Sequence, residues 1–265
     1  MDYKLVAIDM DGTLLTPDLE ISKQTIETTR EVIAKGVMII LSTGRMYMAA
    51  LPFAERLQLD VPLITCNGAL IKCAKTKKEF YKKIITKKHY EAITNFCKKH
   101  QLSISVYKDD SIFIKDKKNL PIHKQIDKAE PETVDDLNSI YDHSVIKLLI
   151  SSDNSYLLKL HINELYNLYK EKLTFYFSFP HFVEIVNKEA NKRNALEFLA
   201  NKYNIRQEEI IAIGDNFNDL DMIEYAGLGI AMGNAPHYLK EAADFVTHSN
   251  DDDGVNYILE KFILK

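Results

Sequence analysis

Leu5 to Thr13 reads LVAIDMDGT. Its four leading apolar residues are too few for a helix and are typical of a buried parallel β-strand. Asp9 and Asp11 follow at the carboxyl end of this strand. Because residues two apart in a strand point to the same face, we expect the two carboxylates to lie side by side. Open α/β sheets bind their ligands at this edge, so the stretch is a candidate functional site.

The stretch also allows two other interpretations. Asp-Gly is a common turn dipeptide, so Asp11-Gly12 could be only the polar end of a strand. An EF-hand calcium loop does not fit, because the glycine comes too early and no glutamate follows at the required spacing. If Asp9 and Asp11 are adjacent, their carboxylates repel each other unless a cation or a proton lies between them.

Composition limits the class of protein. The chain has 265 residues, 46% of them hydrophobic and 27% charged, with a net charge of -4. This suits one large or two smaller globular domains and argues against a nucleic-acid-binding protein. No signal segment or membrane-length apolar run is present, and three cysteines without a Cys-x-x-Cys pair are typical of reduced thiols. We therefore expect a cytoplasmic protein that binds neither nucleic acid nor membrane.

The first third of the chain alternates strands and helices. Ser22 is a candidate N-cap for a helix that ends at Gly36, and the apolar run 37–41 predicts a second buried strand. A third short strand is predicted at 63–66. This alternation is typical of an α/β fold with a doubly wound parallel sheet.

The pattern changes between about residues 82 and 187. Short strands, helices and two predicted hairpins, 103–114 and 173–186, indicate an α+β domain. Residues 117–136 have no clear pattern. We therefore predict a core domain, 1–81 and 188–265, that carries an inserted domain, 82–187.

The α/β pattern resumes after the insertion. A predicted helix, 192–203, precedes the apolar strand 210–213, which ends in GDNFND, with carboxylates at Asp215 and Asp219. Because the carboxyl ends of parallel strands share one edge of a sheet, these carboxylates can converge with Asp9 and Asp11. Four converging carboxylates require a hard divalent cation, and ligands that are all oxygen favour Mg²⁺.

The polar motifs together resemble the four signature motifs of the haloacid dehalogenase-like phosphatases. They are, in order, Asp9-Met10-Asp11-Gly12-Thr13, Thr43-Gly44-Arg45, Lys192 and Gly214-Asp215-x-x-Asn218-Asp219. Within that superfamily the chain is similar to the Cof-like sugar-phosphate phosphatases. Those proteins carry an α/β cap between the second and third motifs, which is where the pattern changes here.

The resemblance implies a role for each matching residue. Asp9 would be the nucleophile that forms an aspartyl-phosphate, and Asp11 would be the general acid and base. The metal ligands would be Asp9, Asp215 and Asp11, the last through its main-chain carbonyl or its side chain, with the carbonyl favoured by the family pattern. The phosphoryl group would be held by Met10, Thr43, Gly44, Lys192 and Asn218. Asp219 would support Lys192 or a metal-bound water, and candidate substrate contacts are Arg45, Asn67, His181 and Glu184.

The third motif departs from the subgroup at two positions. Arg193 and Glu189 stand where glycine is common, and this makes Lys188 a competitor for the role of Lys192. The spacing from Lys192 to Ala195-Leu196 is that of the family and favours Lys192.

The resemblance therefore predicts a Mg²⁺-dependent phosphatase that acts on a small phosphorylated metabolite, as a monomer or weak homodimer. A phosphomutase, which would pass the phosphoryl group to a sugar hydroxyl, is the alternative among enzymes. A signalling domain in which an aspartyl-phosphate acts as a switch is the alternative from another class. The identity of the substrate does not follow from the sequence.

Overall fold

The computed structural model describes residues 2–117, 123–127 and 129–265. The strands are β1 (Leu5–Ile8), β2 (Met38–Leu41), β3 (Pro62–Thr65), β4 (Leu70–Cys73), β5 (Glu79–Lys82), β6 (Ser103–Lys108), β7 (Ser111–Ile114), β8 (Glu132–Thr133), β9 (Val145–Ser151), β10 (Leu173–Phe179), β11 (Phe182–Asn187), β12 (Ile210–Gly214), β13 (Leu228–Ala231) and β14 (Phe245–Val246). The α-helices are α1 (Lys23–Ala34), α2 (Tyr47–Arg56), α3 (Lys87–Lys99), α4 (Ser155–Tyr169), α5 (Lys192–Lys202), α6 (Leu220–Tyr225), α7 (His237–Ala242) and α8 (Gly254–Leu259).

These elements form two structural units. Unit 1 consists of Met1–Gly44, Ala50–Tyr81 and Asn191–Lys265, and unit 2 consists of Arg45–Ala49 and Lys82–Ala190. Each unit has its own sheet and its own apolar core.

The sheet of unit 1 is parallel and has the strand order β14-β13-β12-β1-β2. Strand β1 is buried throughout and pairs with β12 on one side and β2 on the other. Helices connect these strands, and apolar residues of α5 and α6 pack on the sheet. The α/β fold that the sequence predicts is confirmed.

The third predicted strand differs from the expectation. Strand β3 joins β2 only through one parallel bridge, between Ser42 and Ile64, and pairs antiparallel with β4 in a separate sheet, β3-β4-β5. The reason lies in the turn between β3 and β4, where Asn67 and Gly68 have φ values of 54° and 89° and reverse the chain. The reversed chain returns as β4, so the strand–helix alternation stops here.

Unit 2 contains a six-stranded sheet of order β10-β11-β9-β6-β7-β8, antiparallel except between β7 and β8. The two predicted hairpins are present as β6–β7 and β10–β11. Apolar residues of α3 and α4 form one core with those of the sheet, including Ile93, Ile162 and Leu148. The unassigned segment 117–136 lies partly outside the described residues.

No helix within the described parts of the chain has both the length and the apolar composition that crossing a bilayer requires.

The turn at Gly68 leads to a stability prediction. A Cβ atom at Gly68 would lie 2.2 Å from the main-chain oxygen of Asn191, the N-cap residue of α5. Gly36 has a similar φ of 85° with nothing within 4 Å of its added Cβ, so it is a matched control. We expect Gly36→Ala to lower the free energy of unfolding by about 1 kcal/mol and Gly68→Ala by at least about 3 kcal/mol. Urea unfolding would measure both, and equal losses would show that the close approach to α5 is unimportant.

Candidate active site

The carboxyl ends of β1 and β12 bring Asp9 and Asp215 to one edge of the parallel sheet. The Asp9 N–H donates to the Ile213 carbonyl oxygen at 3.0 Å, so the register of the two strands continues one residue beyond β1. Asp9 is 5% exposed. Asp215 follows Gly214 directly, at the end of β12.

Lys192 is the cation of this site. It is the first residue of α5, and it is placed there by Asn191, whose side chain accepts from the Asn194 N–H and begins the helix. The fully buried Lys192 Nζ donates to Asp9 Oδ1 and to Asp219 Oδ1, both at 2.5 Å. Burial alone would lower the pKa of Lys192, but the charges of Asp219 and Asp9 outweigh it and raise the pKa. Lys192 is therefore charged at any physiological pH.

Asp219 organises the loop after β12. Its Oδ2 accepts from the backbone N–H groups of Asp215 and Asn216, both at 3.0 Å, while its Oδ1 binds Lys192. It thus closes the capping box of the short 3₁₀ turn Phe217–Asp219. One buried carboxylate fixes both the loop that carries Asp215 and the lysine that contacts Asp9.

Asp215 is oriented by a residue that the sequence analysis did not assign to the site. Thr13 Oγ1 donates to Asp215 Oδ1 at 2.8 Å, across 202 residues of chain. The sequence feature that indicates a role for Thr13 is its position in the first motif, two residues after Asp11. Burial, followed by the charge of Asp219, raises the pKa of Asp215 to about 6.

The three carboxylates of Asp9, Asp215 and Asp219 fit a divalent cation. Each offers an oxygen, and these atoms lie within 4.8 Å of one another. Burial, followed by the charge of Asp219, raises the pKa of Asp9 well above its ordinary value, even though the charge of Lys192 acts in the opposite direction. Because Asp219 already binds Lys192 and two amides, Asp9 and Asp215 are the better placed ligands. Oxygen donors of this kind are those that Mg²⁺ prefers.

Asp11 is not one of the three residues whose ligand atoms lie within 4.8 Å of one another. Its side chain is exposed, and the residue forms an isolated bridge with Leu15. The expected side-by-side arrangement of Asp9 and Asp11 depended on strand alternation, but β1 ends at Ile8 and residues 10–14 form turns. The group of converging carboxylates therefore has three members instead of four. The roles of Asp11 as acid, base and carbonyl ligand stay predictions.

A second polar group lies at the end of β2. Thr43 is 1% exposed, and its N–H and carbonyl are fixed by Ile64 and Asn67 at 2.9 and 3.0 Å. Asn218 Nδ2 donates to Asn67 Oδ1 at 3.0 Å. The same Asn67 oxygen would lie 3.0 Å from a Cβ at Gly44. The structure therefore brings Thr43, Gly44, Asn67 and Asn218 together, and binding of a phosphoryl group by Thr43, Gly44 and Asn218 stays a prediction.

Four of the predicted site residues remain to be placed: Met10, Arg45, His181 and Glu184. Met10 is buried, and its main-chain carbonyl accepts from the Leu15 N–H at 2.8 Å. Arg45 is 5% exposed and belongs to unit 2. In unit 2, His181 is exposed at the β10–β11 turn with Nδ1 3.0 Å from the Ser152 oxygen, and Glu184 accepts from Lys147 Nζ at 2.9 Å. Substrate contact by Arg45, Asn67, His181 and Glu184 stays a prediction.

Known proteins resemble this chain over nearly its whole length. A family profile described as haloacid dehalogenase-like hydrolase matches residues 6–259. The 5-amino-6-(5-phospho-D-ribitylamino)uracil phosphatase YcsE of Bacillus subtilis is 31% identical, over 100% of this chain and 97% of that protein. A solved haloacid dehalogenase-like hydrolase from Bacteroides thetaiotaomicron is 30% identical with a TM-score of 0.91, covering 98% of this chain and 99% of the other. A solved sugar phosphatase of subclass IIB is 25% identical with a TM-score of 0.84, covering 98% of each chain.

The ion pairs of Lys192 lead to a prediction that compares the two lysines of the third motif. Lys192→Met leaves Asp9 and Asp219 buried without their cation, so we expect the metal-free protein to lose about 3–5 kcal/mol of unfolding free energy. Lys188 is exposed, and Lys188→Met should leave the unfolding midpoint close to that of the unmodified chain. Urea unfolding with and without Mg²⁺, together with phosphatase rates, would compare the variants. A larger loss of stability or turnover in Lys188→Met would show that the third motif is misaligned.

Proposed function

Because the chain belongs to the haloacid dehalogenase-like hydrolases and is a phosphatase, we propose that it hydrolyses phosphomonoesters of small metabolites through an aspartyl-phosphate at Asp9, with Mg²⁺ as cofactor. The observation that carries the proposal is the position of the Asp9 carboxylate. It is buried at the end of β1, 2.5 Å from Lys192 Nζ and beside Asp215. This is where a carboxylate nucleophile and a transferring phosphoryl group can both be held.

In the first step, a carboxylate oxygen of Asp9 forms a bond to phosphorus while the bond from phosphorus to the ester oxygen breaks. Asp11 gives its proton to the departing oxygen, which leaves as an alcohol. The hydrogen bond from Lys192 to Asp9 Oδ1 fixes the carboxylate before the substrate binds. Asp219 holds Lys192 in that position, so the nucleophile is oriented without a rearrangement.

In the second step, Asp11 takes a proton from water as the water oxygen attacks phosphorus. The bond between phosphorus and the Asp9 oxygen breaks, and inorganic phosphate and the free carboxylate result. The exposed side chain of Asp11 suits a residue that must exchange protons with both an alcohol and water.

The anion-binding group holds the phosphoryl oxygens in both steps. We assign this role to Thr43, to the amides of Met10 and Gly44, and to Asn218, which its bond to Asn67 orients. The charge of Lys192 offsets charge that develops on the transferring group. Asp9 and Asp215, with the main-chain carbonyl of Asp11, would hold Mg²⁺, which supplies positive charge at the phosphoryl oxygens when bound.

We assign substrate selection to the predicted cap, residues 82–187. Every residue given a chemical role above lies outside that segment. The named activities of the relatives, on a phosphorylated ribitylaminouracil and on sugar phosphates, support a polyhydroxylated phosphate ester as the substrate class. A cytoplasmic enzyme that meets such metabolites is part of the same proposal.

The proposal is tested by the release of inorganic phosphate from a panel of sugar phosphates, phosphorylated coenzymes and nucleotides in the presence of Mg²⁺. We expect hydrolysis of at least one polyhydroxylated ester and no activity after chelation. Product analysis separates the phosphomutase alternative, since a mutase would yield an isomeric phosphate ester in place of inorganic phosphate.

Asp9→Asn should lower the turnover rate at least about a thousandfold while the chain stays folded, because an amide is a poor nucleophile. Asp18→Asn, an exposed change in the loop that follows the same motif, is the control and should keep full activity. Steady-state phosphate release and circular dichroism would compare the two. An Asp9→Asn enzyme with a tenth of the normal rate would remove Asp9 from the nucleophilic role.

The pKa of Asp215 predicts how metal affinity depends on pH. Its pKa of about 6 means that the carboxyl is mostly protonated below this pH and mostly ionised above it, and only the ionised form is a ligand. We therefore expect Mg²⁺ affinity to fall at least about tenfold between about pH 7 and about pH 5, since the raised pKa of Asp9 acts in the same direction. Isothermal titration calorimetry would measure it, with the exposed Asp221→Asn as a control that keeps the same dependence. An affinity that is constant over this range would exclude Asp215 as the titrating ligand.

A further inference from the structure

Unit 2 contains a group of potential metal ligands of a different chemical type from the carboxylates of unit 1. His100, His161 and Glu164 each offer one ligand atom, and the three atoms lie within 4.8 Å of one another. Imidazole and carboxylate together are ligands for zinc and similar transition metals, whereas Mg²⁺ prefers oxygen alone.

The backbone holds these three residues on firm supports. His100 is the C-cap residue of α3, and its N–H donates to the Phe96 oxygen at 3.0 Å. His161 and Glu164 are three residues apart on α4, so they share one face of that helix. Both helices contribute to the same apolar core, through residues such as Ile93 and Ile162. The group therefore joins two helices whose positions the core already fixes.

The ring of His100 has an unsatisfied nitrogen. Its faces lie against Phe96 and His161, with ring centroids at 4.3 and 4.1 Å. Its Nε2 is buried and has no hydrogen-bond partner among the described residues. Aromatic packing accounts for the ring faces but leaves this polar atom without a partner, and buried polar atoms normally have one. A metal ion would provide it.

The third residue and the access from solvent agree with such a role. Glu164 supplies a carboxylate beside the two imidazoles. All three residues are at least partly accessible, so an ion can enter from solvent.

We propose that His100, His161 and Glu164 form a zinc site that links the C-terminus of α3 to α4. Ligand bonds of about 2.0–2.1 Å place tetrahedral ligand atoms about 3.3 Å apart. Side-chain rotation must therefore bring the present atoms closer by about 1.5 Å at most. Water completes the fourth position. Such an ion stabilises unit 2 by tying the two helices together, and it is separate from the Mg²⁺ of the proposed phosphatase reaction.

The test uses the full chain, freed of metal by chelation and kept in a large excess of Mg²⁺ so that the carboxylates of unit 1 are not available to zinc. Titration with Zn²⁺ against a chromophoric chelator gives stoichiometry and affinity. We expect one Zn²⁺ per chain and a higher melting temperature when it is bound. We expect Co²⁺ to give the strong visible absorption of a tetrahedral site with nitrogen ligands.

Variants locate the ion. His161→Gln and the exposed change Glu164→Gln each remove a proposed ligand, so each should weaken Zn²⁺ binding by more than about 10- to 100-fold, the loss typical of changing a residue that only supports a ligand, and remove the cobalt absorption. His89→Gln, which changes another histidine of α3 outside the group, should bind Zn²⁺ like the unmodified chain. Circular dichroism checks folding, and Glu164→Gln keeps the test valid should the histidine change disturb packing.

The proposal fails if the unmodified chain takes up no Zn²⁺ in the presence of Mg²⁺. It also fails if both variants bind Zn²⁺ as tightly as the unmodified chain, or if Asp215→Asn abolishes the cobalt absorption and His161→Gln does not. Since the readouts are metal binding and spectra, these outcomes are independent of whether the chain hydrolyses the proposed phosphate esters.

Discussion

The buried contacts of Lys192 with Asp9 and Asp219 are the interaction on which the rest of the site depends. They join the end of β1, the start of α5 and the loop after β12, three segments that are far apart in the chain. Burying a lysine and two carboxylates is unfavourable unless each charge has partners. Here Lys192 has two carboxylates, and Asp219 has two backbone amides in addition. The positions of Asp9 and of the loop that carries Asp215 follow from this satisfied network.

The network leaves a deficit of positive charge. Three carboxylates share one ammonium group, and burial, followed by the charge of Asp219, raises the pKa values of Asp9 and Asp215. The repulsion does not separate Asp9 from Asp215, because β1 and β12, the strands that carry them, are completely buried and paired with each other. The apolar core that β1 and β12 form with α5 and α6 offsets the unfavourable burial of these carboxylates.

The sequence predicts most of this arrangement because it follows from simple local patterns. Short apolar runs identify β1, β2 and β12, and the shared edge of a parallel sheet explains why Asp9 and Asp215 meet. The exposure of Asp11 could not be predicted, because it depends on β1 ending at Ile8 and not at Asp11. The antiparallel pairing of β3 was missed since it requires positive φ at Asn67, a residue type that tolerates but does not require this conformation. The proposed zinc ligands are His100 and two residues of another helix more than 60 positions later, His161 and Glu164. Only tertiary packing brings them together.

The parallel pairing of β1 with β12 has a consequence for the synthesis of the chain. Leu5 pairs with Ile210. Strand β1 is therefore synthesised about 200 residues before β12, which is one of its two neighbouring strands. The segment Lys82–Ala190 has its own sheet and core and precedes β12 in the chain. Contacts of large sequence separation form slowly, so the inserted unit can fold during translation while the apolar β1 is still incompletely paired. The late part of the chain, which supplies Lys192, Asp215 and Asp219, therefore completes both the parallel sheet of unit 1 and the group of charged side chains around Asp9.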